Sequence, residues 1–142
     1  MMAVYLIGSL RNPAIPAIGS MLRGLGFDVF DDWFGAGHEA DDEWQRYEEQ
    51  RGRHYSEALD GLAASHIFQF DVTHLRRCDT AILVLPAGKS GHLEFGWMLG
   101  QGKTGIVLFP SVPERWDLMY KFATAVCFSH EELIRVLEAS RS

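Results

Sequence analysis

Residues 83–109, LVLPAGKSGHLEFGWMLGQGKTGIVLF, constrain the chain more than any other stretch, because an apolar run, a turn, a helical pattern and a second apolar run follow without spare residues. Ala81 to Leu85 is continuously apolar with β-branched members, the pattern of a strand buried on both faces, and Pro86-Ala87-Gly88 ends it. Ser90 stands where it would cap a helix with Leu93, Trp97 and Gly100 on one stripe. Gln101-Gly102-Lys103 stops that helix and Gly105 to Phe109 resumes as a strand. This is one strand–loop–helix–strand unit, and its loop lies at a strand's carboxyl end.

The same order recurs on both sides of the unit. Val4 to Ile7 reads as a strand, Ile15, Ile18, Leu22 and Leu25 as a helix stripe, Gly26 as its C-cap, and Phe27 to Phe30 as a second strand. Phe34 to Tyr55 reads as a loop and a solvated helix, and Ser56 to Arg77 as helical with a break near Ser65. After Phe109 come a turn at Pro110 to Pro113, a short irregular piece at 116–122, a strand at Ala125 to Phe128, and a final helix. Ser129 and Glu132 form a capping-box start for that helix, whose core face is Leu133, Val136 and Leu137. The alternation predicts an α/β fold, a flavodoxin-like or Rossmann-like three-layer sandwich with a parallel sheet of about five strands.

Size and charge narrow the function. A chain of 142 residues suits one domain, and no apolar run approaches the roughly 20 residues that span a bilayer. The N-terminus enters a strand pattern directly, without a signal-peptide flank, and two cysteines in apolar settings make no disulfide framework, so the expected compartment is the cytoplasm. The net charge is −6 with the basic residues scattered, which argues against nucleic acid as partner and favours a small molecule. The six histidines show no metal-binding spacing, so neither a metal nor a cofactor is expected.

Three regions carry candidate chemistry. Glu94 is expected in the first turn of the central helix, where the dipole keeps a carboxylate ionised beside the crevice at the strand ends. Such a carboxylate suits covalent glycosyl transfer, and the bland alternative is that it merely complements the dipole. Asp71 shares a helical stripe with Ile67, His74 and Cys78, and an inward carboxylate is rare unless paired or functional; His74 reads as packed or surface. The first loop, Gly8-Ser9-Leu10-Arg11-Asn12, lacks both nucleotide-binding fingerprints yet is able to hold a hydroxyl or a phosphate; the alternative is an ordinary loop with a surface arginine. Trp33, Phe34, Trp44, Tyr47 and Tyr55 read either as a lid that stacks on a planar ring or as pins for a long loop.

Tyr5-Leu6-Ile7-Gly8-Ser9, Asp71 eight positions before Asp79, and Gly91-His92-Leu93-Glu94-Phe95-Gly96 followed by Gly102-Lys103 together resemble the nucleoside 2-deoxyribosyltransferase family and its related 2′-deoxynucleoside 5′-monophosphate N-hydrolases. The resemblance implies a flavodoxin-like fold and a glutamate nucleophile, Glu94. It implies that Asp71 assists protonation of the departing base or positions the sugar, and that Tyr5 holds Glu94. It places Gly8 and Ser9 on the sugar or phosphate side, with Arg11, Asp32, Trp33, Gly88, Ser90 and Gly91 as further substrate-binding candidates. It also implies a homodimer or larger homo-oligomer with shared active sites, Asp117 and Met119 reaching a neighbour's site.

Two departures divide the branches. Gly88 stands where the transferases carry aspartate and the hydrolases serine, and Asp117 stands where they carry asparagine and serine. An anion at Asp117 disfavours a 5′-phosphate, whereas Arg11 favours one. The expected activity is cleavage of the N-glycosidic bond of a 2′-deoxynucleoside or its 5′-monophosphate through a glycosyl-Glu94 ester, with transfer to another base. The alternatives are release to water, a non-catalytic nucleotide-binding module and a ligand-free interaction domain.

Overall fold

The alternation of side chains along the central strands decides the architecture. In the computed structural model, which describes residues 2–141, Val4 and Leu6 of β1 (Ala3–Ile7) point to one side of the sheet and Ala3, Tyr5 and Ile7 to the other. The same division runs through β3 (Thr80–Val84) and β4 (Thr104–Leu108), with Ile82, Val84, Ile106 and Leu108 in one buried layer and Ala81, Leu83 and Val107 in the other, so both faces of these strands are covered. On the first face lie α1 (Ala14–Gly24) and α6 (His130–Arg141), through Ile15, Ile18, Leu22, Leu133 and Leu137. On the second lie α4 (Leu62–Arg77) and α5 (Lys89–Gly100), through Leu75, Phe95 and Met98. With β2 (Asp28–Phe30) and β5 (Ala125–Cys127) at the edges, five parallel strands run in the order β2-β1-β3-β4-β5, a flavodoxin-like sheet.

Between β2 and α4 the chain makes a 3₁₀ turn (Asp32–Ala36), α2 (Ala40–Gln50) and the one-turn α3 (Tyr55–Leu59). The α3–α4 break falls at Asp60-Gly61, not near Ser65, because Gly61 takes the extended conformation that opens α4. A second 3₁₀ turn, Leu118–Phe122, precedes β5.

Helix ends follow the residue chemistry. Gly26, at φ 93°, closes α1 in a Schellman motif: its N–H donates to the Arg23 carbonyl and that of Phe27 to the Leu22 carbonyl. Ser129 Oγ accepts from the Glu132 N–H, and the Glu132 carboxylate accepts from the Phe128 N–H, one residue beyond the standard box. The α4 C-terminus is held by Lys103, whose Nζ donates to the carbonyls of Leu75, Arg76 and Cys78 at 2.9, 2.8 and 2.7 Å.

The central helix differs from expectation in register. α5 begins at Lys89 with Gly88 as N-cap, ahead of Ser90, so Glu94 lies in its second turn. Its buried stripe is Gly91, Phe95 and Met98; Leu93 is 75% exposed, and Trp97 is half-buried. Gly91 allows the approach to β1, since a Cβ there would meet Ile7 Cγ2 at 3.1 Å and Ala87 Cβ at 3.4 Å. Burying Phe95 and Met98 contributes about 2 kcal/mol each, enough to fix the helix rotation. On α4, Ile67 is half exposed, and the inward positions are those nearer the C-terminus.

Candidate active site

Tyr5 lies in mid β1, in register with Phe30 of β2 and Ala81 of β3, and its odd-numbered place turns it towards α4 and α5. The ring is buried, and the hydroxyl donates to Glu94 Oε2 at 3.3 Å. Glu94 reaches this point because the second turn of α5 stands over β1 and β3 where Gly91 lets the helix close in. β1 and β3 are also the strands between which the sheet order reverses, the crevice where open α/β sheets bind ligands.

Burial pushes the Glu94 carboxyl up to about 7, the negative charge of Asp71 pushes the same way, and the Tyr5 hydrogen bond opposes both. The sequence-level expectation of an ionised, dipole-stabilised first-turn carboxylate therefore gives way. A second-turn position lies beyond the strongest dipole effect, and desolvation dominates. Asp71 is raised above the ordinary carboxylate range by burial, with His74 opposing, so like-charge coupling is not the cause of its shift. The Tyr5 phenol lies above its ordinary range through burial, then the charges of Glu94 and Asp71, so it remains a donor across neutral pH. Because the Asp71 charge raises Glu94, a proton placed on Asp71 removes that contribution and favours the Glu94 carboxylate.

An aromatic stack supports the cluster. Phe30 packs against the Tyr5 ring at 5.1 Å and lies parallel to the His74 ring at 4.0 Å, and Phe70 meets His74 edge-on at 4.8 Å. His74 is thus the packed histidine its sequence context suggested, with Nδ1 buried and lacking a hydrogen-bond partner. Sequence patterns give Phe30 only as a strand residue, and its pairing with Tyr5 in the parallel register is what brings it to the site.

The remaining candidates are scattered around this centre. Gly8 is a packing position, where a Cβ would meet Ile15 Cδ1 at 2.7 Å and the Val84 carbonyl at 3.2 Å. Ser9 Oγ accepts from the Arg11 N–H at 3.1 Å, and Arg11 pairs with Asp42 of α2 at 3.5 Å. Trp33 Nε1 donates to the Leu6 carbonyl at 2.7 Å and its ring packs on both core layers, so this aromatic pins its loop rather than hanging over the site. Asp32 is exposed at the start of the first 3₁₀ turn. Gly88 and Ser90 are exposed; the Gly88 carbonyl lies 2.8 Å from His92 Nδ1, and His92 Nε2 lies 2.9 Å from the Tyr120 hydroxyl.

Asp117 caps the second 3₁₀ turn by accepting from the Met119 N–H, and both are exposed. Among the described residues no hydrogen bond or ion pair joins Asp32, Asp117 or Met119 to Tyr5, Asp71 or Glu94. Lys103, part of the motif that carries the family resemblance, serves the α4 terminus rather than the site.

Neither a cavity of about 670 Å³ along α4 nor one of about 550 Å³ beside the second 3₁₀ turn is lined by Tyr5, Asp71 or Glu94. Among the described residues no cluster of three or more His, Cys, Asp and Glu side chains has the arrangement to hold a metal ion, and no helix is long and apolar enough to cross a membrane.

No protein-family model matches the chain, and no curated protein matches it in sequence. In structure it is similar to a CMP N-glycosidase from Clostridium botulinum, with a TM-score of 0.59 and 15% identity over 96% of this chain and 98% of that one. It is also similar to a 2-deoxyribosyltransferase from Bacillus psychrosaccharolyticus, with a TM-score of 0.63 and 17% identity over 93% of this chain and 89% of that one. Both likenesses run nearly end to end, and the architecture shared is the α/β flavodoxin-like sandwich of the whole chain.

Proposed function

We propose that the protein is a nucleoside 2-deoxyribosyltransferase-like enzyme that cleaves the N-glycosidic bond of a 2′-deoxynucleoside or its 5′-monophosphate and transfers the sugar to another base. The observation that carries this reading is the Tyr5–Glu94 hydrogen bond, with Asp71 coupled electrostatically to Glu94 at the sheet's switch point. The two structural neighbours, one named for N-glycosidic cleavage and one for deoxyribosyl transfer, support the same chemistry.

In the first step a Glu94 oxygen bonds to the anomeric carbon while the bond from that carbon to the base nitrogen breaks, its electron pair leaving with the base. Asp71 supplies the proton that neutralises the departing base, and losing it leaves Asp71 as a carboxylate. Tyr5 donates to Glu94 throughout and holds its attacking orientation. In the second step an acceptor base attacks the anomeric carbon, the ester bond breaks, Glu94 regains its carboxylate, and the acceptor's proton returns to Asp71. Raised pKa values suit the pair: burial lifts Asp71 above the ordinary carboxylate range, and a proton carried by Asp71 removes the charge that raises Glu94.

Hydrolysis is the second reading, favoured by the exposure of Gly88, Lys89 and Ser90, which leaves water a path to the ester. A homo-oligomer with shared sites fits the apolar surface around the second 3₁₀ turn, where Trp116, Leu118, Met119 and Phe122 are 82, 78, 59 and 72% exposed. A neighbour covering the site would supply the enclosure that the cavities of one chain do not. We place the whole chain, acting as one domain, in the cytoplasm, where Cys78 and Cys127 remain thiols.

The test is free-base release, followed by chromatography, from 2′-deoxynucleosides and their 5′-monophosphates with and without an acceptor base, for the parent and Glu94→Ala. Turnover that disappears in Glu94→Ala supports the reading, and dependence on acceptor separates transfer from hydrolysis. Binding without turnover would leave a nucleotide-binding module.

A further inference from the structure

The corner formed by the first loop and the start of α1 is the place where a 5′-phosphate would be sought, at the carboxyl end of β1 with a helix N-terminus and an arginine at hand. Four of its backbone donors are already committed. The Arg11 N–H donates to Ser9 Oγ at 3.1 Å and the Asn12 N–H to the Ser9 carbonyl at 3.1 Å. Residue 13 is proline and has no N–H. The Ala14 N–H donates to Asn12 Oδ1 at 3.0 Å and the Ile15 N–H to the Asn12 carbonyl at 3.2 Å. The loop spends these four groups on its own cap, so they are not offered to an anion.

The side-chain charge is committed as well. Arg11 Nη2 lies 3.5 Å from Asp42 Oδ2, and Asp42 sits in the first turn of α2 between Asp41 and Glu43. A phosphate approaching Arg11 would have to displace one carboxylate and enter the field of three. Both members of the pair are well exposed, at 64 and 56%, so their mutual attraction is weak, and the contact is one that a substitution alters without disturbing the core.

We propose that Asp42, acting through Arg11, sets the preference at the 5′ position against a phosphate and for a free hydroxyl. This rests on the reading of the protein as acting on nucleosides. Asp42 is a positioning residue, since it holds the guanidinium and touches no substrate itself. A neutral 5′-hydroxyl leaves the Arg11–Asp42 pair intact, whereas a dianionic phosphate breaks it or is repelled by it.

The experiment measures dissociation constants by calorimetry, at low ionic strength, for matched 2′-deoxynucleosides and their 5′-monophosphates. The proteins are the parent, Asp42→Asn, Arg11→Met and the double variant. Asp42→Asn is expected to improve monophosphate affinity relative to nucleoside affinity by about three- to tenfold, the range for unmasking one exposed guanidinium. Arg11→Met alone should shift that ratio less than about twofold, and the gain from Asp42→Asn should vanish in the double variant. A ratio unchanged by Asp42→Asn would overturn the proposal, as would a gain that persists without Arg11. Loss of monophosphate binding in Arg11→Met alone would also overturn it, by showing Arg11 available in the parent. If no ligand of either kind bound to any of the four proteins, the nucleoside reading itself would fall and this proposal with it; measurable binding with an unchanged ratio removes this proposal alone.

Discussion

Replacing Tyr5 with Phe removes one hydroxyl and retains the buried ring that packs on Phe30 at 5.1 Å, so its effect is confined to the bond with Glu94. A hydrogen bond to a charged acceptor contributes roughly 1.5–3 kcal/mol, and at 3.3 Å this one belongs at or below the lower limit, about 1 kcal/mol. The hydroxyl stabilises the ionised form, so its loss raises Glu94 from about 7 by about 0.7 of a unit. Where the attacking species is the carboxylate, the rate then falls roughly fivefold at pH 6, threefold at pH 7 and negligibly at pH 9. The assay is the acid limb of kcat/KM for base release, measured on both proteins from pH 5 to 9. Asp71→Asn provides the opposite sign, because removing the charge that raises Glu94 moves the acid limb down while the lost proton donor lowers the plateau by about 10²-fold or more. A Tyr5→Phe profile lowered uniformly at every pH, with its acid limb in place, would refute the assignment of Tyr5 as the group that tunes Glu94.

Further consequences are open to simple measurement. Between about 4.5 and about 7 the folded chain retains a Glu94 proton that the unfolded chain has released, so stability falls as pH rises through that window and stays lower above it. Glu94→Gln should therefore be more stable than the parent at pH 8, by about 3 kcal/mol, and nearly indistinguishable near pH 4.5, as read by chemical denaturation. Lys103→Met removes three donors from the α4 C-terminus and should cost about 2–3 kcal/mol, a fall in Tm on the order of 10 °C by calorimetry. Gly91→Ala gains helix propensity but crowds Ile7 at 3.1 Å, so stability should move by less than about 1 kcal/mol. Base release should nonetheless fall about three- to tenfold as α5 shifts away from Tyr5.

Period-2 and period-3.6 patterns carried most of the architecture. The strands at 81–85 and 105–109 are seen as β3 and β4 within a residue at each end, because continuous apolar runs between turn residues have few other places to go. The helix between them was harder. Trp97 and Leu93 are large apolar residues and Gly91 has no side chain, so a stripe chosen by hydrophobicity selected the wrong face. The face that packs is decided by closeness of approach, and closeness favours Gly91 against Ile7. The break in the third helical region was misplaced for a related reason: Ser65 signals a cap locally, whereas Gly61, backed by Glu48 and Arg53, opens α4 in the folded chain.

The candidate site can be proposed from residue identities, but its electrostatics cannot. Tyr5, Asp71 and Glu94 each lie on elements that the strand and helix patterns send to one face of one sheet, and the structure couples all three. Their ionisation depends on depth, which no spacing encodes. A carboxylate one turn further along its helix than expected exchanges dipole stabilisation for desolvation, and the sign of its shift reverses. Arg11 shows the same limit from the opposite direction. As a residue type beside a helix start it reads as an anion site, and only the placement of α2, a segment with no apolar periodicity tying it to the sheet, brings Asp42 against it. Long-range charge pairs of this kind form between segments whose sequences carry no record of one another, so a preference built on such a pair is set only in the folded chain.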